Sequence, residues 1–347
     1  AEVEEIGWER NCRTCHVKVM DGGFDHKDDS ERWKKNVAHL TQVPDLHDLG
    51  KRYDRSWIAH FLQQPHQLRP ALAFGMPRLE LDAEAARDIA TFLTDGAERA
   101  DELDLSAADA TRGRTLLENK GCGTCHSFTG APPLPDRDVK PVGVETRPIA
   151  VLAPDLRFAR DRLTSGTLVA WLLEPTAVQA DAVMPKIEMT EAEARDIAKY
   201  VLTTPLDLPE PKVPERLPVL ARKGSYAEVA EKVHDKICVH CHGNPDAALG
   251  DGGPGHSGGF GFPVRKLELT SYERVNGGYL DDDGERQSIF AKLPDGRPRL
   301  VASLMARYGE MHGKIDPDVR GMPLALPPLS LEDIQLVETW IAQGRPR

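Results

Sequence analysis

Apolar residues recur at helical spacing in three places along the chain, each time behind a capping residue. Ile89, Phe92 and Leu93 follow Asp82; Ile197, Tyr200 and Val201 follow Thr190; Ile334, Val337, Trp340 and Ile341 follow Ser330. Steps of three and four put each set on one face of a helix. Asp, Thr and Ser can accept hydrogen bonds from the free N–H groups of a first helical turn, and Thr190 with Glu193 has the spacing of a capping box. Gly96 and Gly344 suit the stops of the first and third helices. A second pattern lies upstream. Pro44-Asp45-Leu46 leads to Trp57 through Leu62 and Pro65, and Pro154-Asp155-Leu156 leads to Leu168 through Leu173 and Pro175. Each predicts a loop, a helix and a proline stop, with the apolar side chains read mostly as ordinary core. A further helix is expected from Ala108 through Lys120. The pattern is that of a helical unit in three copies.

Composition narrows the class. The chain has 347 residues, enough for two or three domains. Only 6% of them are aromatic, so each core is modest and a shared apolar cofactor would help a small domain fold. The net charge of −11 argues against nucleic-acid or anionic-membrane binding and suits a partner with a basic docking face. No run approaches the ~20 apolar residues of a transmembrane helix. The start, Ala1-Glu2-Val3, lacks a charged segment followed by an apolar one, and reads as a mature chain whose signal peptide has been removed.

The cysteines carry the chemistry. All six fall in three C-x-x-C-H motifs: Cys12, Cys15 and His16; Cys122, Cys125 and His126; Cys238, Cys241 and His242. This is the attachment signature of c-type haem. Two intervening residues let both thiols reach the two vinyl groups of one porphyrin as thioethers, and the adjacent histidine falls beneath the iron. A structural zinc site needs two such pairs at close spacing, whereas these stand far apart in the chain. A thioredoxin-like redox pair would stand singly near a βαβ unit. Three covalent haems and their irons are the expected cofactors.

Each motif is followed by a Met-Pro, at Met76, Met184 and Met322. The interval from His16 to Met76 nearly equals that from His126 to Met184, and the interval from His242 to Met322 is longer. Methionine is a haem ligand in cytochromes c, and proline would stiffen its loop. Ile89 stands as far past Met76 as Ile197 does past Met184. In the third copy Met305, Met311, His312 and His256 are rivals to Met322.

A C-x-x-C-H, a Met-Pro well downstream and a final amphipathic helix together resemble a class I (mitochondrial-type) cytochrome c domain. The resemblance covers nearly the whole chain. It implies an all-α fold of three tandem haem domains, over residues 1–100, 101–207 and 208–347. It also implies His16, His126 and His242 as proximal ligands and Met76, Met184 and Met322 as distal ones. There are departures. Only the short segment Ala1 to Asn11 precedes Cys12. The third unit carries a glycine-rich insertion, Gly250 to Gly261, and an acidic turn at Asp281-Asp282-Asp283-Gly284. Gly113 stands in the family's usual place. Asp95 to Ser106 reads as an acidic linker, and Pro205 to Pro218, with five prolines, as an extended spacer. Residues 131–154 are expected to cover the second haem as a loop.

The expected function is single-electron transfer outside the cytoplasm, in the periplasm or an equivalent compartment, between a redox donor and acceptor. The carrier is either free or a subunit of a larger respiratory or dehydrogenase complex. Six-coordinate His/Met iron leaves no open position for substrate, which weighs against an enzyme. The alternative is a haem enzyme, of di-haem-peroxidase or thiosulfate-oxidising type, using an open or labile haem in the third domain. The remaining histidines are read as surface or structural.

Overall fold

The computed structural model describes residues 16, 43–72, 74–79, 81–136, 149–210, 212–243, 266–281 and 283–347. The protein is mostly helical, with 43% helix against 2% strand, so its cores are built from helix faces and not from a sheet. It divides into two compact units. One is Leu46–Pro211; the other joins Lys212–Arg347 to Ala1–Asp45. Among the described residues no helix is long and apolar enough to cross a membrane.

The unit Leu46–Pro211 contains two copies of a helix pair. In the first copy α1 (Arg55–Gln63) packs on α2 (Ala83–Thr94). In the second, α3 (Ala110–Asn119) and α4 (Ser165–Leu173) both pack on α5 (Glu191–Thr203). Helices α1 and α4 are equal in length, and both have a polar N-cap, Asp54 and Thr164. The expected caps of the later helices are present. Asp82 accepts from Ala85 N–H, and Thr190 and Glu193 complete the capping box. Pro65 lies just beyond the end of α1, but Pro175 opens a further turn, Pro175–Val178, where its missing N–H is not needed.

The α3/α5 crossing is close because of one residue. A Cβ on Gly113 would collide with the Asp196 carbonyl, so only glycine lets the two backbones touch there. The core around the crossing holds Leu117, Phe128, Leu168, Leu172, Ile197 and Val201. The expected apolar stripe of α5 is fully used. That of α2 is not: Ile89 is buried, but Phe92 is 39% exposed, and small residues, Ala86 and Ala90, take the inner face instead.

The expected linker after α2 is not free. Ser165 Oγ and N–H both donate to the Glu102 carboxylate, and Thr164 Oγ1 donates to the Ala100 carbonyl at 2.6 Å. The segment is thereby pinned across the start of α4.

In the other unit α6 (Arg299–Met311) packs on α7 (Leu331–Ala342), which Ser330 caps as expected. Trp340 is fully buried at the centre, among Val229, Val233, Val275, Phe290 and Val337. The chain before it, Tyr226–Val229, continues as a π-helical turn, Ala230–His234. The acidic turn departs from the all-helical expectation. It joins two short antiparallel strands, β1 (Tyr279–Leu280) and β2 (Arg286–Gln287), with Tyr279 opposite Gln287. The proline-rich segment lies along the surface here: Leu220 N–H donates to Thr339 Oγ1, and Gln335 Nε2 to the Pro218 carbonyl. Gly250 to Gly261 lie outside the described residues.

Candidate functional site

The second motif begins where α3 ends. Gly121 turns the chain with a positive φ of 72°, and Cys122–Thr124 form a single 3-10 turn. His126 N–H donates to the Cys122 carbonyl at 2.9 Å, which curls both cysteines and the histidine around one loop. The third motif has the same shape: Cys238–His240 form a 3-10 turn, and His242 N–H donates to the Cys238 carbonyl at 2.8 Å.

The four described cysteines, Cys122, Cys125, Cys238 and Cys241, are free. Burial pushes the Cys122 thiol up to about 11 and the Cys238 thiol up to about 12. Catalytic C-x-x-C pairs have the opposite property, a depressed thiol pKa. Burial therefore disfavours the thiolate at Cys122 and Cys238, the reverse of what a dithiol redox centre needs. Among the described residues no three His, Cys, Asp or Glu side chains gather to hold a metal ion on their own.

The histidines are oriented from behind. His126 Nδ1 donates to the Pro154 carbonyl at 2.8 Å, and His16 Nδ1 to the Pro44 carbonyl at 2.9 Å. The two links span the same length of chain. Such a bond fixes the tautomer and leaves Nε2 with a lone pair for a metal. It also gives the recurring Pro-Asp-Leu a use: its proline carbonyl accepts from the motif histidine in both copies. In the second copy Asp155 secures the loop by accepting from Thr129 and Arg157 N–H. Burial lowers the pKa of His126, and the Arg162 charge adds to this against the pull of the Pro154 carbonyl. The ring is therefore neutral, as a ligand must be. His242 differs. Among the described residues no acceptor stands in good hydrogen-bond geometry at its Nδ1. Burial lowers its pKa too, offset only in part by the Leu267 carbonyl.

Where a methionine and its motif lie in one unit, both border the same apolar cluster. Cys122 belongs to the core cluster of the α3–α5 region, and Met184 packs against that same cluster. Cys238 and Met322 each pack against the cluster around Trp340. All three candidate methionines are half-buried, whereas the rival Met305 is a core residue of α6 and His312 is exposed. The first copy is not assembled in the same way: Cys12 and Cys15 lie outside the described residues, and His16 and Met76 fall in different compact units. His256 also lies outside the described residues.

Three features escaped the reading of the sequence. Trp171, expected as core, donates its indole N–H to Met184 Sδ at 2.9 Å. Phe61 holds the equivalent place in α1 and has no donor to offer. Around Met322, a buried Arg307–Glu310 pair clamps the loop on both sides: Glu310 accepts from Gly321 N–H at 2.8 Å, and Arg307 donates to the Leu326 carbonyl at 2.6 Å. Met322 N–H itself donates to the Ser303 carbonyl. Finally, His234 is buried with neither ring nitrogen hydrogen-bonded among the described residues, and burial drives its pKa down to about 4. A polar atom set within an apolar helical stretch marks each of these positions in the sequence, but the pattern does not say what that atom meets.

No family model, no curated protein and no solved structure matches this chain.

Proposed function

We propose that this chain is a three-haem c-type cytochrome, built from class I-like cytochrome c units, that passes single electrons between redox partners outside the cytoplasm. The observation that carries the reading is the shared cluster in the second copy. Cys122 and Met184 share one apolar cluster, while His126 is held neutral with its Nδ1 on the Pro154 carbonyl. The third copy repeats the first half of this with Cys238 and Met322. In the first copy the proposal rests on the motif and on the matching His16–Pro44 bond.

Cys12 and Cys15, Cys122 and Cys125, and Cys238 and Cys241 would form the thioethers. His16, His126 and His242 would take the proximal face, and Met76, Met184 and Met322 the distal face. When bound, haem supplies a reversible one-electron couple whose potential the axial ligands raise. The protein orients the imidazoles through backbone carbonyls and polarises one thioether sulfur through Trp171. It keeps the attachment loops in apolar surroundings. The acidic surface suits partners with basic docking faces, free or within a larger respiratory or dehydrogenase complex.

The test is to express the chain with an export signal and haem-attachment machinery and to count haems by the alkaline pyridine assay. Three per chain are expected, with the far-red band of methionine-ligated ferric haem and no carbon monoxide binding after reduction. A chain that is exported, folded and free of haem would overturn the reading. A haem that binds carbon monoxide would point instead to an enzyme.

A further inference from the structure

Met322 follows the end of α6 at the same interval as Met184 follows the end of α4, so the two helices stand in equivalent places before their methionines. They hold those methionines differently. Helix α4 reaches the sulfur itself, through the Trp171 indole N–H. The chain just beyond Met184 is tied at the surface, by Lys186 to Glu174 at 2.8 Å, with 53% and 43% of the two side chains exposed. Water competes for both charges of such a pair, so it holds weakly. In the first copy a neutral amide, Gln67 Nε2, holds the chain before Met76 through the Leu72 carbonyl at 2.7 Å.

Helix α6 grips the backbone around its methionine instead. Ser303, Arg307 and Glu310 recur at steps of four and three and share one face of the helix. The Ser303 carbonyl accepts from Met322 N–H at 2.9 Å, and Glu310 accepts from Gly321 N–H at 2.8 Å. Arg307 donates to the Leu326 carbonyl at 2.6 Å, and Tyr308 Oη to the Leu329 carbonyl, also at 2.6 Å. The methionine is therefore bonded at its own N–H, and its loop is bonded before and after it. Arg307 and Glu310 are only 7% and 4% exposed and pair with each other at 3.5 Å. Bonds made by buried charges are strong, because breaking one leaves a charge short of a partner where water cannot replace it. Gly321 admits the carboxylate: a Cβ there would collide with Glu310 and with the Arg307 backbone. We propose that Arg307 and Glu310 are positioning residues that lock the Met322 loop to α6 and make the third haem the one that gives up its methionine least readily. This rests on the three-haem reading. It goes beyond that reading by ranking the haems for access: outside ligands reach the first two irons before the third.

The test is an imidazole titration of the full, exported, haem-loaded ferric protein, followed by the far-red methionine band. Imidazole displaces a labile methionine and bleaches that haem's share of the band. The shares of the first two haems are expected to go first, and the third only at about tenfold higher concentration, the worth of about one charge-assisted hydrogen bond. Met322→His identifies the resistant share by removing it. Glu310→Ala and Arg307→Ala should each bring that share down to the concentration that bleaches the other two. Glu310→Gln keeps an acceptor for Gly321 N–H and should restore part of the resistance. Should the alanine variants fail to load haem, Gly321→Ala pushes the carboxylate off the loop and should lower the resistance in their place. Thr339→Ala separates positioning from mere stability. It removes the acceptor of Leu220 N–H elsewhere in the unit, and should lower the urea midpoint without changing the imidazole response. A wild-type protein whose Met322 share bleaches with the others, or before them, overturns the proposal and leaves the haem count standing. So does a resistant share that survives Glu310→Ala, Arg307→Ala or Gly321→Ala unchanged. A protein with no haem at Cys238 and Cys241 fails the three-haem reading itself, and this proposal with it.

Discussion

The pentapeptide Ala-Arg-Asp-Ile-Ala occurs twice, at residues 86–90 in α2 and at 194–198 in α5. Both copies are helical, and both bury their isoleucine and alanines. The aspartates part company. Asp88 is exposed, whereas Asp196 is 1% exposed and gripped at the foot of α3, accepting from Asp109 N–H at 2.8 Å and from Arg112 Nε. Burial of Asp196 would raise its pKa, but the Arg112 bond and the Asp109 N–H outweigh this and hold the carboxyl below the usual range. Identical local sequence therefore gives identical helix and register, while the neighbouring element decides whether a charge stays in solvent or ties two helices together. In α5 that neighbour is α3, admitted by Gly113.

Breaking the α3/α5 crossing should show the largest effect. Gly113→Leu drives a side chain into the Asp196 backbone, and is expected to cost more than about 3 kcal/mol by denaturant unfolding of the loaded protein. An unchanged midpoint would mean that the crossing is not as close as described.

Next in size is the contrast between the two aspartates. Asp196→Ala should cost about 2–3 kcal/mol, since it strips partners from a backbone N–H and from Arg112, while Asp88→Ala should stay within about 0.5 kcal/mol. The difference has a pH signature. A carboxylate with a depressed folded pKa stabilises above its unfolded value of 3.8, and that contribution is lost as pH falls through the folded pKa. Asp196→Asn should therefore flatten the acid limb of the stability curve, and Asp88→Asn should not. Equal curves for the two would remove the distinction.

The smallest effect concerns the caps, which the comparison predicts to be alike. Thr190→Ala and Asp82→Ala each remove a side-chain acceptor at a helix N-terminus and should each cost about 1 kcal/mol. Melting temperatures that fell for only one variant would show that the two starts are not equivalent.

Elements with strong local causes were legible in the chain before any fold was known. The caps at Asp82, Thr190 and Ser330, the positive-φ stops at Gly96 and Gly344, and the helical apolar stripes all depend on neighbours within a few residues. The candidate attachment residues were legible for the same reason: C-x-x-C-H is a local motif. The candidate methionines were picked out by counting along the chain, and only the fold shows that Met184 shares an apolar cluster with Cys122, and Met322 one with Cys238. Packing settled the remainder. It exposed Phe92, strapped the linker across α4, made a hairpin of the acidic turn and gave the Pro-Asp-Leu repeat its use as a histidine anchor. It also joined Arg52 and Arg162, from separate copies, on one phenol. Each of these depends on a partner far away in the chain. A local pattern can specify that a polar atom is present, but the hydrogen bond that gives it a role needs both ends in place.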